Sequence, residues 1–306
     1  MRVAITGISL ALWLVTAAAS SAAGLDVDGC QHATGPDSRI DYCTRVIQSN
    51  QYAKANSVVA FNNRGLAYYE KGQYALAIED FDTAIGLEPN YAEAFNNRGG
   101  AYDATSQYYR AITDYDAAIR LKPDYVEAFY NRGRVYFEKG QYDRAIADYD
   151  AAIRLKPDLV EAFINRGAVY DDAGQHDRAI EDFDTAIRVT PDDATVFNSR
   201  CWTLIALGRA REALADCNKS LSIKPNDEST LDSRGFAYLR AGDPKSAIAD
   251  FDRALQLDPK IASSLFGRGV AKERLEDKAG AASDYAAARA IQADIEVELR
   301  KRQILQ

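Results

Sequence analysis

Side chains able to do chemistry are few in this 306-residue chain, and they are regularly placed. Cys30, Cys43, Cys201 and Cys217 are its thiols, and His32 and His176 its imidazoles. Such groups can hold a metal, form disulfides or build a nucleophile and base. No Cys-x-x-Cys spacing occurs and each histidine stands alone, which disfavours a metal site and Cys–His catalysis. Carboxylates recur as Asp-x-Asp, in Asp80-Phe81-Asp82 and Asp148-Tyr149-Asp150, a spacing that could suggest a metal or a nucleotide sugar. Two residues apart on a helix, however, side chains point to nearly opposite sides, so the second Asp is expected to be solvated and no metal is assigned. The sequence holds no phosphate-binding glycine loop, no HExxH and no nucleophile elbow. Neither catalytic activity nor a cofactor is expected.

These residues are positioned by a 34-residue period that runs from 57 to 294 without insertion, in seven copies: 57–90, 91–124, 125–158, 159–192, 193–226, 227–260 and 261–294. Position 1 of each copy is taken as Val58 and its equivalents. Position 4 is always large and apolar, position 8 is glycine except at Cys201, and position 11 is tyrosine except at Leu204 and Lys272. Steps of three and four put these on one face of a helix. Position 20 is alanine throughout, position 24 is aromatic except at Cys217, and position 27 is alanine or, at Ser220, serine. That demands a second amphipathic helix. Gly72, Gly140, Gly174, Gly208 and Gly242 at position 15 suit a left-handed end to the first helix, and proline at position 32 of six copies stops the second.

A large residue at 4, small at 8, tyrosine at 11, alanine at 20, aromatic at 24, alanine at 27 and proline at 32 resemble the tetratricopeptide repeat family. The resemblance spans residues 57–294, and the last copy, with Lys272 and Ala293, departs as a terminal unit does. It implies an all-α fold, a right-handed α-solenoid (superhelix) of antiparallel helical hairpins. Residues 24–56 then read as an N-terminal capping segment, with Asp37 to Ile47 alignable with a second helix. Residues 295–306 read as a C-terminal capping helix that extends the last one over its exposed apolar face.

Position 7 is Arg64, Arg98, Arg132, Arg166, Arg200, Arg234 and Arg268, where the family usually has an apolar residue. Position 23 is Asp80, Asp114, Asp148, Asp182, Asp216, Asp250 and Asp284. Both positions are equidistant from the turn, so structural ion pairs across the hairpin are expected; an arginine stripe gripping anions is the alternative. Cys201 at position 8 and Cys217 at position 24 face inward with an axial offset of about 3 Å, close enough for a disulfide. Cys30 and Cys43 then pair by default, against the alternative of buried free thiols. His176, where earlier copies have tyrosine, reads as a packing residue.

The N-terminus has a short basic start, an apolar run from Val3 to Ala19 and small residues after it. That pattern predicts a signal peptide over 1–23, with a retained membrane anchor as the alternative. Export and disulfides together predict a secreted protein of the bacterial periplasm, without membrane insertion after cleavage. The net charge of −8 argues against nucleic-acid partners.

The family resemblance implies a concave groove lined by first-helix positions 2, 5, 6, 9, 12 and 13. Carried over, these give Asn63, Asn97, Asn131 and Asn165 at position 6, with Asn62, Asn96 and Tyr130 at position 5. Position 2 supplies Glu93, Glu127 and Glu161, and position 9 supplies Arg134, Trp202 and Phe236. The asparagine amides suit either an extended peptide backbone or neighbouring groups of the protein itself. Trp202 and Phe236 suit either an apolar pocket or packing between hairpins. The family's clamp for acidic tails needs basic residues at positions 5 and 9, and only Arg134 qualifies. The expected function is a non-enzymatic interaction module whose groove binds an extended, neutral-to-basic peptide or protein segment. The alternative is a self-assembling scaffold of the cell envelope.

Overall fold

The computed structural model describes residues 26–49 and 54–305, and the expected signal peptide lies outside them. Among the described residues every regular element is a helix. Residues 26–32 form α1, and α2 is Pro36–Gln48. The first helices of the copies are α3 (Lys54–Glu70), α5 (Ala92–Ala104), α7 (Val126–Glu138), α9 (Val160–Asp172), α11 (Ala194–Ala206), α13 (Glu228–Ala241) and α15 (Ala262–Arg274). The second helices are α4 (Tyr74–Leu87), α6 (Tyr108–Leu121), α8 (Tyr142–Leu155), α10 (His176–Val189), α12 (Ala210–Ile223), α14 (Pro244–Leu257) and α16 (Lys278–Ile291); α17 is Ile295–Lys301. The chain divides into two compact units, one ending at Val135 and the other beginning at Tyr136. Within each, first and second helices pair as hairpins, and first helices also pack on the second helix before them. The fold is an all-α solenoid.

Position 8 is glycine because the ring at position 24 lies against it. A Cβ at Gly65 would stand 2.7 Å from Phe81, and one at Gly167 would stand 2.8 Å from Phe183. The fifth copy solves the same contact differently: Cys201 and Cys217 are both fully buried and joined as a disulfide. The position-15 glycines have φ between +67° and +81°, and the chain reverses there into the second helix. Copies two and seven make the same turn with Ser106 (φ 58°) and Glu276 (φ 68°), a conformation in which a side chain is strained.

The position-7 arginines join one hairpin to the next. Arg64, Arg98, Arg166, Arg200, Arg234 and Arg268 bind both oxygens of the position-23 aspartate of their own copy, at 2.6–2.9 Å. The remaining nitrogen, Nη1, reaches the copy before. Arg98 donates to Asp82, Arg132 to Asp116, Arg166 to Asp150, Arg200 to Asp184 and Arg268 to Asp252; Arg234 donates to Asn218 at 2.8 Å. The second aspartate of each Asp-x-Asp, expected to be solvated, is therefore half-exposed and bound to the next arginine. In Arg98 and Arg166 burial works against the charge, but the hydrogen bonds they donate to the aspartates outweigh it and hold the guanidinium above its ordinary range.

The ends depart from the repeat. α2 packs on α3 as a second helix would, and Thr44 takes the aspartate's place, accepting from Arg64 Nη1 at 3.1 Å. A Cys30–Cys43 disulfide ties α1 to α2. At the other end Lys272, in place of tyrosine, gives Asp284 a second cation at 2.8 Å. Burial would raise that carboxyl, but Arg268 and Lys272 hold it below the usual carboxylate range. The expectation that residues 295–306 extend the last helix is corrected. The helix breaks at residues 292–294, and α17 packs chiefly on α15 rather than on α16.

Candidate peptide-binding face

In the first unit the expected groove positions are drawn into one hydrogen-bonded row. Asn97 donates its amide to Asn62 at 2.9 Å and Asn131 donates to Asn96 at 3.1 Å, each reaching from position 6 to position 5 of the copy before. Asn63 begins the row by donating to the Cys30 carbonyl at 3.2 Å. Asn62 and Asn96 are buried, and their own amides turn to Asn63 and Asn97. As groove residues open to a peptide, Asn62 and Asn96 are corrected: stacking closes them between hairpins. Asn63, Asn97, Asn131 and Tyr130 remain half-exposed.

The charges beside this row are acidic. Glu127 is exposed, and the half-exposed Glu93 meets Lys122 at 3.3 Å. Arg134, the only basic group at a clamp position, binds the buried Asp103 of the preceding copy. Its charge is thereby cancelled.

In the second unit Glu161 is exposed, and Asn165 is half-buried on the same helix. Phe236 is corrected as a groove residue. It is 1% exposed, with its ring edge-on to Trp202 at 5.8 Å and to Phe251 at 5.1 Å. Ile205, Leu239 and Phe266 are buried with it, so these apolar inner positions form core and not an open pocket. Trp202 keeps one edge on a cleft of roughly 790 Å³, lined also by Asn198, Ser199, Asp232 and Ser263 and by Leu299 and Arg302 of the C-terminal segment. Asp232 was missed by sequence reasoning. It is buried, accepts hydrogen bonds among the described residues from Ser263 (2.8 Å) and Ser264 (2.5 Å), and burial pushes its carboxyl up to about 6. Its signal was a lone carboxylate at position 5, where other copies have amides or apolar groups. His176 is buried, and its Nδ1 meets Asp171 at 2.8 Å.

Models of the tetratricopeptide repeat match at residues 58–91, 160–193 and 229–261, and a further TPR repeat model matches at 101–140 and 133–172. The chain belongs to the tetratricopeptide repeat family. Solved tetratricopeptide repeat structures resemble it in fold at low identity. One, from Parabacteroides merdae, is 22% identical with a TM-score of 0.66, over 80% of this chain and 98% of that one. PilF of Pseudomonas aeruginosa is 17% identical with a TM-score of 0.61, over 69% and 96%. YrrB, described as a TPR protein with an unusual peptide-binding site, is 22% identical with a TM-score of 0.53, over 61% and 97%. No curated protein matches the sequence. Among the described residues, no helix of this tetratricopeptide repeat protein is long and apolar enough to cross a membrane.

Proposed function

We propose that this protein is a non-enzymatic interaction module of the bacterial periplasm that holds an extended, neutral-to-basic segment of a partner against its first helices. The observation that carries the reading is the charge those helices present. Glu127 and Glu161 project from them exposed, Glu93 is shared with Lys122, and Arg134, the one cation at a clamp position, is bound to Asp103. An acidic tail would meet the carboxylates of Glu127 and Glu161 there, and a basic segment would meet complementary charge. The asparagine row supports an extended ligand. Its amides are fixed by one another, which presents their remaining hydrogen-bonding capacity in register with little entropy left to lose on binding. The fold is one that in YrrB carries a peptide-binding site. Two disulfides fit an oxidising compartment. A photo-crosslinking side chain at Glu127 or Glu161 in living cells should capture a discrete protein, and the same group at exposed Lys245 on α14 should not. Equal capture from all three sites would remove the assignment to the first helices.

A further inference from the structure

The C-terminal segment lies where a ligand would. Ile295 stands one full period after Ile261, so α17 begins in register with the first helix of another copy. It does not stack as one. Ile295, Leu299 and Ile304 are 4%, 2% and 3% exposed and join the apolar cluster of Leu239 and Phe266, which are inner-face residues of copies six and seven. After α17 the chain turns through Gln303 (φ 58°), with Ile304 N–H bonded to the Leu299 carbonyl at 2.9 Å. Arg240, at inner position 13, donates to the Gln303 carbonyl. Arg302 meets Asp172, the position-13 residue of copy four, at 3.1 Å. The segment thus spans inner positions of copies four, six and seven, held by three aliphatic side chains and one basic one.

Under it the face is unfinished. Copy five has an amide at position 5, Asn198, but position 6 is serine there and in the next copy, where Ser233 turns its hydroxyl to the Ser229 carbonyl. Asn198 Oδ1, the acceptor that an asparagine there would have used, is buried without a hydrogen-bond partner. The neighbouring Asp232 carboxylate has serine donors and, among the described residues, no cation. Both line the cleft beneath the segment.

We propose that residues 295–305 are a built-in occupant of the inner face of the second unit, and that the partner displacing them shares their chemistry. That partner is a short amphipathic helix with aliphatic residues four apart, as Ile295 and Leu299 are, followed by a basic residue that binds as Arg302 does. Beyond the contacts that the tail makes, it would carry a donor for Asn198 and a cation for Asp232, which the resident segment does not supply. The proposal rests on the reading of the inner face as protein-binding. It makes binding in the second unit conditional on release of the tail.

The test uses the full chain and a fluorescein-labelled peptide of residues 293–306. In the variant Leu299→Asp/Ile304→Asp the resident segment is lifted, and fluorescence anisotropy should give at least tenfold tighter binding of the peptide than to the wild type. Equal binding to both, with helical circular dichroism preserved, overturns the proposal. If that variant does not fold, hydrogen exchange on the wild type decides: the amides of 298–304 should exchange well before those of α13 and α15. Exchange of the tail only together with α15 would make it core rather than occupant, and the proposal fails. Either negative result leaves crosslinking from Glu127 in the first unit unaffected, so the two readings fail separately.

Discussion

Replacing Asp232 by asparagine should stabilise the protein at neutral pH and not in acid. Below about pH 4 the carboxyl carries its proton in both the folded and unfolded chain, against an unperturbed value of about 3.9, and burial there is inexpensive. Between that value and about 6 the folded chain keeps a proton that the unfolded chain releases, so stability falls as pH rises. Above about 6 both states are ionised and the full penalty applies. A pKa raised from about 4 to about 6, at about 1.4 kcal/mol for each pH unit, makes that penalty about 3 kcal/mol. The introduced amide cannot accept from both Ser263 and Ser264 as the carboxylate does, a loss of about 1 kcal/mol. The net expected gain is about 2 kcal/mol at a pH of about 7.5, closing to about zero or reversing at about pH 4. Urea unfolding followed by Trp202 fluorescence reports on the unit concerned, because Trp202 packs on Phe236 and the other tryptophan, Trp13, belongs to the expected signal peptide. A difference between variant and wild type that does not change with pH would refute the argument, whatever its size.

Arg166→Ala leaves Asp182, with a side chain 6% exposed, without its bidentate partner and should cost about 3 kcal/mol in urea unfolding; adding Asp182→Asn should recover part of it. A loss below about 1 kcal/mol would class the pair with ordinary surface ion pairs. The double change Cys201→Ser/Cys217→Ser opens a loop of 16-residue separation and should cost about 3 kcal/mol, whereas Cys201→Gly/Cys217→Phe restores the packing of the other copies and should recover at least half of that. Matching melting temperatures for the two double variants would contradict this. Ser106→Gly and Glu276→Gly relieve left-handed backbone and should each raise stability by about 1 kcal/mol, in contrast to the loss expected from Gly140→Ala. Thermal melts of the three proteins check the signs.

What the sequence made legible was whatever a single helix or hairpin determines. The glycine at position 8, the aromatic at 24 and the turn at 15 follow from contacts within one copy, and comparing copies exposes them. Features that depend on stacking were harder to see. Asp82 and its equivalents look solvated on an isolated helix, yet the next hairpin brings an arginine to that side. A trace was present: the position holds Asp or Asn in six copies and becomes Ala286 in the last, and Arg302, one period after Arg268, pairs with Asp172 instead. Phe236 and Trp202 could not be assigned from their spacing, because burial there depends on Phe251 beside them and on a tail that turns back instead of continuing α16. Asn62 and Asn96 posed the same difficulty, since an amide's partner one copy away has no signature in its own helix.

Ala286 and Thr44 bear on growth as well as on stability. Inside the array every copy offers an acidic or amide socket to the arginine behind it, so whole blocks of 34 residues could be added or removed without redesigning a joint. At the front the socket is the neutral hydroxyl of Thr44, on a helix fastened by its own disulfide; at the back Ala286 offers no acceptor. Among the described residues the series of charged joints therefore begins at a hydroxyl and ends at a methyl group. The joint repeats between copies with one geometry, so a change at any one arginine should weaken the link to the copy before it in the same way as at the others.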